Sequence, residues 1–423
     1  MKNLSLKITL ITISILLLFS CKKDELCPCG SGPTDNLDWQ NIKLFDNNNL
    51  IEIELTLDPA DWDEIRHQVR NERLAYGRKC DQPPSNPFTY AKACITINGV
   101  SISNTIGLRK KGWFSSTEID KPSLKVKLDK YVNNIKIGNY SQFTLNNGTS
   151  DPSLIRQCLA FQVFEAADIP TPKCKFAHVK VNGKDLGIYT LIQTIDEQFL
   201  QDQFNTDDGD FFEGTEADFR YEHGWIGRFG RQTNEGISGY GRIPKLASAL
   251  EASDENLINE LDPLIDLDRF FTFWGTEVLV GHVDGYAASA ANFFIYDDPL
   301  TGNFRFVPWD LDYTFNREID SENGVRSVYA NAQLVKRLYL FPKTRTQYLS
   351  RLDFLLNNVW EENNLNASID NMEDILGKYL TSTNKSEILK VREYVNTLRS
   401  RITRELTNSS ELTPVQLKSP CGK

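Results

Sequence analysis

The spacing of apolar and polar positions divides the chain into a strand-rich front half and a helix-rich back half. Leu50 to Leu57 alternates at period two, which predicts a strand. Pro59 to Arg70 then reads as a short helix capped by Asp58. Tyr90 to Ile102, Ile106 to Trp113 and Ser123 to Leu128 read as further strands. Asp151-Pro152 predicts a helix start, because Asp caps well and Pro is tolerated in the first turn; Leu154, Ile155, Cys158, Leu159 and Phe161 supply its apolar face, and it ends before Pro170. Lys175 to Val181 and Leu186 to Ile192 flank Asn182-Gly183, a strong signal for a two-residue hairpin turn.

The second half opens on Gly209 to Lys245, rich in Gly, Arg, Tyr and acidic residues without clear periodicity, which reads as a long functional loop or an insertion. Phe270 to Val283 predicts a buried helix. Asn292 to Asp297 and Asn303 to Pro308 predict two short strands around Pro299-Leu300-Thr301-Gly302, and from Ala330 the apolar spacing is helical nearly to Thr407. The pattern is that of an α+β protein with a sheet-rich lobe followed by a helix-rich lobe.

At the N-terminus Lys2 and Lys7 precede an apolar run from Ile8 to Phe19, interrupted by Thr9, Thr12 and Ser14. Roughly a dozen residues fall short of the ~20 that a spanning helix needs. Residues 1–20 therefore read as a cleaved signal peptide. Leu18-Phe19-Ser20-Cys21 resembles the lipobox of bacterial lipoproteins, which implies acylation of Cys21 and a membrane partner through that lipid. Lys22-Lys23-Asp24-Glu25 resembles the surface-export signal of Bacteroidetes lipoproteins and implies the outer membrane. Residues 21–36 read as a flexible tether, 37–412 as the folded domain, and 413–423 as a tail.

Composition is that of an ordinary soluble protein, with 40% hydrophobic and 25% charged residues, and the net charge of −10 gives no support for nucleic-acid binding. Export implies an oxidising compartment, and besides Cys21 there are seven cysteines, so at least one stays unpaired among themselves. Proximity suggests Cys80 with Cys94 and Cys158 with Cys174, although sequence alone does not fix the connectivity. Cys27-Pro-Cys29 has one intervening residue, against the two of redox and zinc motifs.

Chemistry concentrates between Asp284 and Asp312. If the two strands after Ala291 form a hairpin, Asn292 starts one and Asp310 follows the other, so both can face one point. Such a pair of oxygen donors, completed by ligand phosphates, suits Mg²⁺, with Asp284 as a base for an attacking hydroxyl. The same residue types also serve as caps and turns. A second cluster is basic: Arg109-Lys110-Lys111-Gly112, then Lys121, Lys125 and Lys127, the last two sharing a strand face that can present ammonium groups to phosphate or simply to water. His67, His178, His223 and His282 are scattered without metal-ligand spacing and read as structural. No Gly-x-Ser-x-Gly or Walker-type loop occurs.

Several segments, in order, resemble the CotH kinase family of atypical protein kinases. They are the opening strand with the Trp62 helix, Leu108 to Ser116 with Lys121 to Leu128, the helix after Asp151, Val181 to Tyr189, Ile195 to Leu200, Asn292 to Tyr296, and Pro308-Trp309-Asp310-Leu311-Asp312. The resemblance implies a two-lobed protein-kinase-like fold divided near residue 195. It also implies ATP and Mg²⁺ in the cleft and phosphoryl transfer to a protein Ser or Thr hydroxyl. Carried over by position, Asp284 is the catalytic aspartate, Asn292 and Asp310 hold metal, and Asp312 assists. Arg109 with one of Lys121, Lys125 or Lys127 neutralises phosphates. The chain departs from the family pattern at Leu191-Ile192-Gln193 and at Phe211-Phe212-Glu213. The alternative reading is a weakly catalytic surface lipoprotein that binds a protein or glycan.

Overall fold

The computed structural model describes residues 37–46, 48–71, 80–233, 238–316, 329–407, 417 and 421. The signal peptide, Cys21, the tether with Cys27 and Cys29, and most of the tail lie outside the described residues.

Strands β1 (Ile51–Thr56), β2 (Ala91–Ile97), β3 (Val100–Ser101), β4 (Ile106–Lys110), β5 (Leu124–Lys127), β6 (Gln142–Asn146), β7 (Cys174–Val181) and β8 (Lys184–Gln193) form one sheet in the order β1-β7-β8-β6-β5-β4-β2-β3. Because β1 also pairs antiparallel with β2, the sheet closes into a barrel. Closure leaves β1 with β2 on one side and a parallel β7 on the other. The alternation of β1 fits this place, with Ile51, Ile53 and Leu55 inward and Glu52, Glu54 and Thr56 outward. Ile53, Ile95, Leu108, Val126, Leu145, Val179 and Leu191 share the barrel core.

The expected turn joins β7 and β8. Asn182 and Gly183 have φ of 50° and 75°, the double left-handed geometry of a tight hairpin, and Asn182 Oδ1 accepts from Leu57 N at 2.9 Å. Helix α1 (Pro59–His67) starts at its expected cap, Asp58 accepting from Ala60 N at 2.7 Å.

Helix α2 (Arg156–Ala166) starts later than Asp151-Pro152 suggests. Leu154 is left-handed at φ 69°, so residues 151–155 form a turn, and Asp151 caps from a distance by accepting from Ser153 N at 3.0 Å and Arg156 N at 2.8 Å. The helix is not one-faced either: Arg156, Gln157, Ala160 and Phe164 are buried along with Leu159 and Phe161. It sits where the barrel meets the helical core, and its residues share that core with Phe176, Ile188 and Ile192. A disulfide from Cys158 to Cys174 ties it to β7, as proximity suggested. Cys80 pairs instead with Cys421, 341 positions away, which corrects the Cys80 to Cys94 expectation; Cys94 is also disulfide-bonded.

After α3 (Glu197–Phe204) comes a second, four-stranded antiparallel sheet in the order β10-β9-β11-β12, formed by β9 (Phe211–Gly214), β10 (Phe229–Arg231), β11 (Phe293–Asp297) and β12 (Phe304–Pro308). Gly209 to Lys245 is therefore not one long loop: it holds β9, β10 and the start of α4 (Ile243–Leu250), in strands too short for periodicity to show. Helices α5 (Leu257–Leu261), α6 (Leu267–Val280), α7 (Tyr286–Ser289), α8 (Gln333–Leu340), α9 (Pro342–Asn358), α10 (Glu362–Leu376) and α11 (Ser382–Thr407) complete the helix-rich region. Its centre is aromatic, with Trp274 of α6 stacked on Tyr348 of α9 at 3.4 Å between ring centroids. Barrel and helices also meet at His178, whose ring nitrogens lie 2.7 Å from Glu52 Oε2 and 2.9 Å from Asp185 Oδ1 and whose ring packs 4.6 Å from that of Tyr379. No described helix is long and apolar enough to cross a membrane.

Candidate functional site

The site is built where two chain segments leave regular structure side by side. Helix α6 ends at Gly281, left-handed at φ 68°, and the loop His282 to Gly285 leads into the single turn of α7. Asn292 precedes β11 and Trp309 follows its neighbour β12; Trp309 N donates to Asn292 O at 3.0 Å, so Asp310 emerges next to Asn292. Of the seven residues between Asp284 and Asn292, four form the single turn of α7. Asn292 Nδ2 accordingly donates to Asp284 Oδ2 at 2.8 Å and to Asp284 O at 3.0 Å. Asn292 and Asp310 have φ of 50° and 49°. Left-handed backbone costs most side chains about 1–2 kcal/mol, and Asn and Asp are among the few that tolerate it. Residue type here serves backbone and chemistry together.

The electrostatics follow from crowding carboxylates together. Asp284 remains open to water at its edge, yet loss of surrounding solvent, joined by the negative charge of Asp310 and offset by Asn292, raises its carboxyl to about 7. Asp312 is buried, and burial followed by Asp310, Asp151 and Asp284 raises it well above the usual range.

Cations face these acids from the barrel. Lys111 follows β4, anchored by its N–H to Ser123 O at 2.9 Å, with its ammonium 5.6 Å from the Trp309 ring. Burial lowers its pKa, while Asp310, Glu213 and Asp312 pull it back up, so it shares the field of the aspartates. Gly112 behind it has φ 98°, and a Cβ there would meet Ser116 Cβ at 2.4 Å, so only glycine lets the chain turn so closely. Arg109 and Lys125 stand directly opposite each other on β4 and β5, a like-charge cross-strand pair that is unfavourable by itself. Burial, then Arg109, lower Lys125 to about 8, and Arg109 Nε is buried without a partner. Two facing cations with an unmet donor form a receptive place for an anion.

The structure thus brings together Asp284, Asn292, Asp310 and Asp312, while Arg109, which also donates to Lys110 O and lies 5.2 Å from the Tyr90 ring, and Lys125 join them through the fields of Lys111 and Glu213. It does not bring Lys121, which donates to Ile188 O at 2.8 Å and lies 5.0 Å from the Tyr189 ring. Lys127 is 3.9 Å from Asp129. Lys111 enters the sequence reading only as part of the basic run, and Glu213 stands in a segment that departs from the family pattern. Which lysine of a basic run reaches an acid depends on strand ends and register, which spacing does not give. His282 also escapes a scan for metal spacing, yet it lies fully buried beneath the loop, and burial lowers it to about 4 although the Asn292 and Trp309 backbone, close to its ring, pulls it back up.

A metal fits this donor set in a limited way. With Nδ2 engaged by Asp284, the amide of Asn292 keeps Oδ1 as its acceptor beside Asp310. Among the described residues no three His, Cys, Asp or Glu side chains converge as a cage. An ion that takes one or two carboxylates and completes its shell with water and phosphate oxygens matches that; a caged structural ion does not.

The family model described as CotH kinase protein matches residues 108–408, well over half of the chain and all of the residues above. The chain belongs to the CotH kinase family. Inner spore coat protein H of Bacillus subtilis is 25% identical over 289 residues, covering 58% of this chain and 76% of that protein. Invasin CotH2 of Rhizopus delemar is 25% identical over 199 residues, covering 44% of this chain and 34% of the invasin. The chain thus spans about three quarters of one CotH relative and about a third of the other. Among solved structures, the Helicobacter pylori proinflammatory kinase CtkA overlaps 67% of this chain and 93% of its own at a TM-score of 0.37 and 9% identity, too loose a likeness to carry an argument.

Proposed function

We propose that this CotH family member transfers the terminal phosphoryl group of Mg²⁺-bound ATP to a Ser or Thr hydroxyl of a protein, working from a lipid-anchored position in the cell envelope. The observation that carries the reading is the hydrogen-bonded pair of Asp284 and Asn292, with Asp310 set beside it and Lys111 in the field of the same aspartates from the barrel. Asn292 and Asp310 would hold the metal, with Asp312 in support. When bound, the ion would neutralise charge on the transferring phosphates. Arg109, Lys111 and Lys125 bind and orient the phosphates from the barrel side. Asp284, raised to about 7, accepts the proton of the attacking hydroxyl near neutral pH, where a base of matched strength works best. Phosphoryl transfer is mostly a matter of positioning and charge neutralisation, so these groups suffice physically. A barrel-bearing lobe and a helix-rich lobe with the polar cluster between them agree with a protein-kinase-like arrangement, N-lobe to about residue 195 and C-lobe to about 412.

The envelope part rests on the sequence of residues 1–21 and is consistent with the coat and invasin names of the relatives. Two measurements test the proposal. Titration of the chain with ATP should show binding that needs both Mg²⁺ and Asp310; binding indifferent to either would defeat the site assignment. A Cys21→Ala chain should no longer partition into detergent or lipid, and continued partitioning would mean another anchor.

A further inference from the structure

In the apolar run of α6, Phe270 to Gly281, Glu277 is the only charged residue. It is fully buried, and no ion pair to it occurs among the described residues. Burial raises its carboxyl to about 8, with the Ala287 and Tyr286 amides pulling it back down, so near neutral pH the group is largely the uncharged acid and still needs hydrogen-bond partners. Its two oxygens are held by backbone: Oε1 accepts from Tyr286 N at 2.9 Å and Oε2 from Ala287 N at 2.9 Å, the first two residues of α7. The side chain therefore reaches past the end of its own helix and grips the chain two and three positions beyond Asp284.

The remaining space is closed by neighbours. A Cβ on Gly285 would lie 2.4 Å from Glu277 Oε1 and 2.2 Å from His282 Cδ2, and Gly285 has ordinary negative φ, so closeness alone requires the glycine. His282 N donates to Glu277 O at 2.8 Å, and Ser289 Oγ donates to Val283 O at 2.7 Å. Residues 281–287 are thus wrapped around one carboxyl group, with Asp284 at the open side of the wrap. A salt bridge or an apolar plug would fill the same volume; neither would fix two amide directions at once.

We infer that Glu277 is a positioning residue that holds Asp284 in reach of Asn292 by binding the amides of Tyr286 and Ala287, an inference that rests on the phosphoryl-transfer reading for its kinetic consequence and on the backbone geometry for its structural one. A carboxyl group, charged or protonated, offers an acceptor oxygen to each of the two donors. Glutamine, equal in size, offers one acceptor and sets an NH₂ against a backbone N–H, so Glu277→Gln should release one amide and leave the cavity filled.

In the full chain, Glu277→Gln is expected to lower kcat about tenfold or more while the Mg·ATP Kd stays within about threefold, the signature of a misplaced reacting group with intact binding. Amide exchange at Tyr286 or Ala287 should accelerate at least about tenfold relative to wild type. Gly285→Ala, which presses on the same carboxyl from the loop side, should give the same split and guards against a Glu277 variant that does not fold. Unchanged kcat and unchanged exchange in the variant that folds would overturn the inference, as would a loss of nucleotide affinity equal to the loss of kcat. If the wild-type chain transfers no phosphate, the functional reading fails by itself, and the exchange rates at Tyr286 and Ala287 alone decide the role of Glu277.

Discussion

The two sides of the site hold their charges by opposite means. On the barrel side Arg109 and Lys125 project from paired strands whose other face is Leu108, Val126 and the barrel core, so the register that closes the barrel also sets the cations opposite each other. On the helical side Asn292 and Asp310 sit at left-handed residues just outside the strands, and Asp284 sits in a loop wrapped on a buried side chain. Cations placed by a ladder tolerate loss of one member, since the ladder persists. Acids placed by loop geometry depend on individual hydrogen bonds, so the helical side should be the more sensitive of the two.

The strongest way to break that comparison is Asp310→Asn. It removes the charge shared by Lys111, Asp284 and Asp312 while Asn still tolerates φ near 49°, so Mg²⁺-dependent ATP binding should fall by about 100-fold or more, ~2.7 kcal/mol, with the fold intact by circular dichroism. Next in size, Lys111→Met should weaken binding about tenfold, ~1.4 kcal/mol, whereas Lys121→Met should leave it within about twofold. Equal effects of the two lysine variants in the same titration would mean that the place of Lys111 in the field of the aspartates does not set it apart from Lys121.

A third prediction concerns the floor of the loop. His282 is held near 4 by burial, below the ~6.5 of an unfolded histidine. The unfolded chain therefore binds the extra proton first, and stability present above pH 6.5 should be lost as pH falls toward 4, by up to ~1.4 kcal/mol per unit. Urea midpoints at pH 7.5 and 5 should diverge in wild type and converge in His282→Leu. The least consequence for binding belongs to the β7–β8 turn: Asn182→Ala should cost ~1–2 kcal/mol of stability by losing the bond to Leu57 N and straining a left-handed residue, with ATP affinity unchanged.

Much of the fold was legible where the sequence pattern and the local environment agree. The Asn182-Gly183 hairpin, β1, α1 and the strands around Pro299 to Gly302 could be read because their turns and alternation are local properties. Strand β6 was not, since Phe143, Thr144, Leu145 and Asn146 are all buried and leave no alternation to detect. Helix α2 was placed too early because Asp151 caps it across a turn that resembles a first helical turn in sequence. The acids of the site were legible as neighbours of one hairpin. The cations were legible only as a group, because choosing Lys111 and Lys125 over Lys121 takes strand register, and the partner of Cys80 takes the whole tertiary fold.

The Cys80 to Cys421 bond has a consequence for the order of events during synthesis. At ~5–20 residues per second, the 341 positions between the two cysteines take roughly 17–70 s to make, during which Cys80 has no native partner. Cys158 and Cys174, 16 positions apart, can close almost as soon as both emerge. The long bond can therefore form only after Cys421 has appeared, and any oxidant acting before then finds Cys80 available for a wrong match.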